Sequence, residues 1–285
     1  MTGTSIPATV VRGALRHVRI ALRIEVTSWN VIGWFLFPAI GLVAMRLLDG
    51  NQLVGSAISV AAFGLPGLVA MSLVTTGGLA VAGQLVTERE DGTLLRAKAV
   101  PHGMASHLLA NTVFTIAITL VPIVMLLIVA GFWFDGVGPQ GASGWARLLG
   151  FAVLGMMAVL PLGAIIGAVL PNSTALAWVG LVFYGWLAIS GVFYPITALP
   201  GWLQYVGQAL PTYWVGLGLR SSMLPEAAMA VEIGQSWRTG TTFVVLAAWA
   251  VAGLLLAPVL LRRMARRQSG SIVAAARDRV LNKGY

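Results

Sequence analysis

The sequence predicts an all-α membrane protein with six transmembrane helices. An amphipathic interface helix precedes them, and a helical hairpin re-enters the outer leaflet after the fifth span. Three observations carry this prediction. Of 285 residues, 58% are hydrophobic and only 9% are charged, against roughly a quarter charged in soluble domains. The charges are spaced to leave long apolar runs, and about 20 apolar residues suffice to cross roughly 30 Å of hydrocarbon. The basic residues then gather on one side of the resulting topology.

Residues 1–30 predict a cytoplasmic amphipathic helix. Arg12, Arg16, Arg19 and Arg23 recur at helical spacing, and Val11, Leu15, Val18, Leu22 and Val26 recur with the same spacing, one residue earlier. Two adjoining stripes suit a helix in the membrane interface, apolar face down and arginines toward anionic headgroups. Such a helix serves as an anchor and topology signal, or as a contact for a cytoplasmic partner. Thirty polar and basic positions with no small-x-small site predict no cleaved signal peptide, so the first span stays in the membrane.

The spans are predicted at 31–48, 58–83, 107–131, 148–170, 175–195 and 240–261, within a membrane domain of 31–261. Arg46 lies near the end of the first. Glu88-Arg89-Glu90-Asp91 closes the second, Asp135 follows the third and Arg262-Arg263 stops the sixth. The run 148–219 has no charge in 72 residues, room enough for a third crossing near 204–219. That stretch holds two glutamines and Pro211, and a seventh crossing would put the basic tail, 262–285, outside. A hairpin at about 196–220, dipping into the outer leaflet and returning, fits better; irregular backbone at that depth needs protein cover.

With six spans both termini and the 84–104 loop share a side, which holds 14 of the 18 basic residues and five of the nine acids. The other side keeps Arg46, Arg147, Arg220 and Arg238 against Asp49, Asp135, Glu226 and Glu232. The whole net charge of +9 therefore belongs to one face. The positive-inside rule makes that face cytoplasmic and the protein a multi-pass plasma-membrane protein. The basicity records topology and is no nucleic-acid footprint.

Several function classes are excluded. There is no cysteine, hence no thiolate nucleophile, disulfide or cysteine-ligated metal. Neither lysine, Lys98 or Lys283, follows a glycine, so the chain has no phosphate loop and is no ATPase by itself. His17, His102 and His107 lie near the cytoplasmic boundary without metal-ligand spacing, as snorkelling side chains would. No catalytic or metal residue is expected, and no cofactor in this chain. Proton-driven transport normally needs an ionisable group within the membrane. The predicted spans offer almost none, which points to an external energy source and an apolar or amphiphilic substrate.

Some segments carry more than hydrophobicity. The stretch 87–96 is the most polar between the first and sixth spans, in a loop longer than a hairpin needs. It reads equally as a solvated charged turn or as a short helix offered to a soluble partner, with Gly92 permitting a bend and Leu94-Leu95 supplying an apolar contact. After the fifth span, Pro195, Pro200 and Pro211 break helices. Trp202, Tyr205, Tyr213 and Trp214 are amphipathic aromatics suited to the headgroup level. Pro66, Pro122 and Pro161 predict kinks. Thr75-Thr76-Gly77-Gly78 can loosen the second span or hydrogen-bond a ligand. Gly163 and Gly167 form a GxxxG that reads first as a packing surface.

Glu88-Arg89-Glu90-x-Gly92-Thr93 after the second span resembles type-2 ABC transporter permeases. So do Ser190-Gly191-Val192-Phe193-Tyr194-Pro195, Leu199-Pro200-Gly201-Trp202-Leu203-Gln204, Leu210-Pro211-Thr212-Tyr213 and Gly218-Leu219-Arg220. The resemblance covers nearly the whole chain; Tyr194 stands where many members carry another apolar residue. It implies a bacterial exporter permease of the drug or lipid branch, moving an amphiphilic drug, antibiotic or lipid. It implies a coupling helix of Glu88, Arg89, Glu90, Asp91, Gly92, Thr93 and Leu94, docking a separate ATP-binding subunit. Two such subunits hold ATP and Mg and switch the pathway between two populated states. It further implies a second permease copy, identical or related, and an outer re-entrant gate with Gly191, Pro195, Pro200, Trp202, Pro211 and Tyr213. Thr75, Thr76 and Phe183 are the expected substrate-lining residues. A secondary transporter or channel, and a non-transporting membrane scaffold, are the alternatives.

Overall fold

The computed structural model describes residues 8–28, 30–53, 58–93, 96, 103–134 and 137–267. Helix α1 (Ala8–Thr27) is followed by α2 (Asn30–Leu48), α3 (Val60–Val74), a π-helical turn at Thr75–Leu79 and α4 (Ala80–Glu90). Then come α5 (Gly103–Trp133), α6 (Gly141–Val169), α7 (Ser173–Ile189), α8 (Gly201–Ala209), α9 (Pro211–Met223) and α10 (Thr239–Arg267). The segments Val60–Glu90, Leu109–Trp133, Gly141–Val169 and Thr239–Met264 are each long and apolar enough to cross a membrane. Helices α2 and α7 are shorter, at 19 and 17 residues. One end of the bundle carries α1 and residues 88–96 and is the basic end; the opposite end carries α8 and α9 and is the hairpin end.

The arginine stripe of α1 is exposed as predicted, but its apolar stripe is spent differently. Val18 is buried against Ala110 of α5, flanked by Leu22, Leu109 and Phe114. A protein surface was available, and burying Val18 there removes its apolar area from solvent just as lipid would.

Helix α3 starts with Ser59 as its cap, its side chain accepting from Ala62 N at 3.0 Å. The helix does not stop at 83, where the sequence ends the second span, but continues through the π-turn to Glu90. Residues 84–90, expected as loop, are thus helical. At 31 residues the segment is about 46 Å long, more than the roughly 30 Å of hydrocarbon. The π-turn forms where Gly77 and Gly78 weaken the helix and Thr75 Oγ1 bonds back to Met71 O at 2.7 Å.

Other boundaries move for equally local reasons. The fourth predicted span opens at Gly141 rather than 148, placing exposed Arg147 inside α6. The fifth ends at Ile189 rather than 195. There Ser190 Oγ donates to Trp186 O at 2.8 Å, and Gly191 adopts φ +58°, a conformation that closes helices.

Helix α6 is the central element. It packs on α10, α9, the π-turn and α4. A Cβ at Gly163 would overlap the carbonyl of Gly78, and one at Gly167 would lie 2.8 Å from Ala82 O. The GxxxG pair is therefore a backbone-to-backbone crossing inside this chain. On another side of α6, Gly253 of α10 fits against Pro161. Helix α9 is buried at every residue, wedged among α6, α3 and α10.

The crossing at Gly163 makes a sharp prediction. Gly163→Ala lowers the midpoint of heat unfolding in detergent, at a cost of about 1–3 kcal/mol from overpacking. Gly185→Ala, where a Cβ meets nothing within 4 Å, leaves the midpoint unchanged within error in the same assay.

Candidate functional site

Three regions combine chemistry-bearing side chains with special geometry: the basic end of α4, a cavity at the π-turn, and the hairpin end.

At the basic end, Glu88, Arg89 and Glu90 reach in three directions. Glu88 is buried. Its Oε1 accepts from Asn111 Nδ2 at 2.6 Å and its Oε2 lies 3.0 Å from His107 Nε2, both on α5. Arg89 donates to Leu170 O, a carbonyl at the end of α6. Glu90 Oε1 accepts from Ser173 N at 2.8 Å, the first amide of α7. The chain then turns: Gly92 has φ +75°, and Asp91 Oδ1 accepts from Thr93 N at 2.9 Å. Helical bonding resumes with Arg96 N to Gly92 O at 3.2 Å, and Arg96 Nη2 donates to Thr93 Oγ1 at 2.9 Å. Each of the three thus has a partner inside the chain, Glu88 buried, Arg89 half-buried and Glu90 exposed. Asp91 and Arg96 are exposed. Leu94 and Leu95 lie outside the described residues, as do 97–102. His107 is not a snorkelling side chain but a buried partner of Glu88 and Asn111, which face it across and along the helices.

The cavity has a volume of about 310 Å³ and lies where the π-turn widens the helix. Pro38, Met71, Ser72, Thr75, Thr76, Leu79, Ala80, Ile118, Pro122 and Tyr184 line it, from five α-helices and the π-turn and without one charge. Pro122 has no N–H, so it cannot supply the helical bond to Ile118 O on the same wall. Of the predicted lining residues, Thr75 and Thr76 are present. Phe183 is not: it lies on the other side of the π-turn, buried near Gly78 and Val159 in a separate gap of about 20 Å³.

At the hairpin end each proline begins an element rather than breaking one. Pro195 precedes a 3-10 turn at Ile196–Ala198, Pro200 caps α8 and Pro211 opens α9, the positions where a missing N–H costs nothing. Gly191 is closed upon by Ile196, whose Cβ would sit 2.9 Å from a side chain there. Trp202 and Tyr205 are exposed, whereas Tyr213 and Trp214, expected at the headgroup level, are buried. Arg238 explains the exception. It donates to the Tyr213 hydroxyl and to Gln208 Oε1, the latter at 3.0 Å, and lies over both rings. Trp214 Nε1 donates to Gln208 O at 2.7 Å.

The sequence reading placed Arg220 and Glu232 among dispersed outer charges. They form a fully buried pair, Arg220 Nε to Glu232 Oε1 at 2.7 Å. Arg220 Nη1 also donates to Gly191 O at 3.1 Å, and the guanidinium sits 4.9 Å from the Phe63 ring centre. The pair thus ties α9 to α3, to the 190–196 turn and to the segment before α10. The equal number of acids and bases on that side was the available signal: exposed Arg46 and Asp49 pair there as well.

Residues 17–224 match the family model described as ABC-2 type transporter. The chain is also similar to the proteins named probable doxorubicin resistance ABC transporter permease protein DrrC from two strains of Mycobacterium tuberculosis. Each is 25% identical over 220 residues, covering 74% of this chain and 76% of its own.

Because Glu232 would be left buried and uncompensated, Arg220→Met costs about 3–5 kcal/mol of stability. The double variant Arg220→Met/Glu232→Gln recovers at least half of that loss, measured by denaturant unfolding of the purified protein.

Proposed function

The chain belongs to the ABC-2 type transporter family, a multi-pass membrane permease subunit of an ABC transporter, and on that premise we propose that it exports an amphiphilic drug-like or lipid-like molecule. Two separate ATPase subunits, carrying ATP and Mg, dock at the basic end on the coupling segment that follows Glu90, with Asp91, Thr93 and Arg96 in contact. Two permease copies, identical or related, complete the pathway. The chain crosses the bilayer six times, counting the shorter α2 and α7. The positive-inside rule puts the basic end and both termini in the cytoplasm. The pair α8 and α9 forms the outer re-entrant gate, hinged at Gly191.

The cavity at the π-turn carries the reading. It is uncharged, half-open and lined by methyl, thioether and aromatic groups with the hydroxyl-bearing Ser72, Thr75, Thr76 and Tyr184. Such a lining suits a molecule with a flat apolar body and a few hydrogen-bonding groups. Its size is at the lower end for drug-sized ligands, about 300–1,000 Å³, consistent with one wall of a site shared between two copies. The buried Glu88–His107 pair favours a second reading, proton-driven transport, because it is an acid–base couple near a membrane boundary.

The two readings separate in inverted vesicles holding the permease with its ATPase. Export requires ATP and persists when the proton gradient is collapsed; doxorubicin, the compound in the relatives' names, is the first probe. Uptake without ATP that stops with the gradient overturns the exporter. Within the exporter, Thr76→Phe lowers transport about tenfold, ~1.4 kcal/mol of lost binding, with the ATPase still bound. Single cysteines at the exposed positions Gln235 and Arg263, in a chain with none of its own, react from the outside and the inside respectively.

A further inference from the structure

We infer that Arg89 and Glu90 are positioning residues that lock the coupling segment to the α6–α7 turn, so that a push on the segment moves α7 as well as α4. This rests on the ATPase docking at the basic end. Three observations support it. The turn between α6 and α7 is only Leu170-Pro171-Asn172, so a helix C-terminus and a helix N-terminus lie side by side. Arg89 donates to the Leu170 carbonyl at the first, and Glu90 accepts from the Ser173 amide at the second.

Each contact satisfies a backbone group that a helix end leaves open, and each charge has the sign that its helix dipole favours. Asn172 completes the junction by accepting from Ala175 N at 2.9 Å. Apolar contacts reinforce it, since α4 packs along both α6 and α7, with Gly83 close to Leu176. Helix α7 in turn carries Tyr184 on the cavity wall, and at its far end Trp186 Nε1 donates to Thr212 Oγ1 at 3.1 Å, at the start of α9. A continuous chain of contacts therefore runs from the docking segment past the cavity to the hairpin end.

The test uses the permease reconstituted with its ATPase, reading three quantities: ATPase co-purification, basal ATP hydrolysis and doxorubicin moved per ATP. Glu90→Ala and Arg89→Ala keep assembly and basal hydrolysis within about twofold, while transport per ATP falls about tenfold, inside the ~5–150-fold range of coupling between sites. Glu90→Gln keeps an oxygen for the Ser173 amide and restores at least half of the transport. A variant that is merely destabilised loses its unfolding midpoint without this change in stoichiometry. Loss of the ATPase from Glu90→Ala makes Glu90 a contact residue and overturns the proposal, as does unchanged transport per ATP. In a further variant, Glu90→Cys/Ser173→Cys joined by a short bifunctional thiol reagent retains transport, because the two sites move together; blockage on cross-linking overturns it. If the unaltered permease fails to bind any ATPase, the docking reading fails instead.

Discussion

The contact between Gly163 and the carbonyl of Gly78 sets the geometry of the rest. In hydrocarbon, apolar side chains gain little by leaving lipid for protein, so close packing of backbones becomes a main source of cohesion. Removing both side chains at this crossing lets α6 lie directly on the π-turn. One turn later, Gly167 repeats the approach at Ala82. That line of contact fixes where α6 ends, and hence where the α6–α7 turn meets Arg89 and Glu90. It also leaves on the opposite flank the slot that α9 fills.

Charge is handled alike at both ends. Ionised groups in a low-dielectric interior are tolerable when paired or bonded to backbone. Arg220 has a carboxylate, a carbonyl and an aromatic face; Glu88 has an imidazole and an amide; Arg89 and Glu90 have helix termini. Between the two ends, the cavity wall carries no charge at all. Fixed charges hold the helix ends in register, and the middle is left apolar for a substrate.

Much of this was readable in the chain itself. Apolar runs bounded by charges located the long helices, because hydrocarbon thickness fixes their length. Thr75 and Thr76 beside two glycines marked the loosened turn. Direction was the part that spacing did not carry. Sequence spacing shows that Glu88, Arg89 and Glu90 are consecutive and polar, which suggested a solvent-facing surface. It does not show that α4 runs alongside the α6–α7 turn, where two helix ends meet Arg89 and Glu90. Arg220 and Glu232 are twelve residues apart in irregular sequence, and no periodicity announces their pairing. Tyr213 and Trp214 read as interfacial until Arg238, 24 residues after Trp214, folds back over them.

The complete burial of α9 has a bearing on how the protein is made. A helix of 13 residues reaches only about 20 Å, and this one carries an arginine and two serines on its last turns. The two serines bond back to Gly218 O within the helix, but the arginine is satisfied only by neighbours, which disfavours releasing the segment into lipid. Another neighbour, α10, lies further along the chain and is synthesised later. The flank of α9 that α10 covers therefore stays open until α10 has been made. The Arg220–Glu232 pair can form before α10 is made, since Glu232 precedes it, but a product truncated before Thr239 leaves one flank of α9 uncovered.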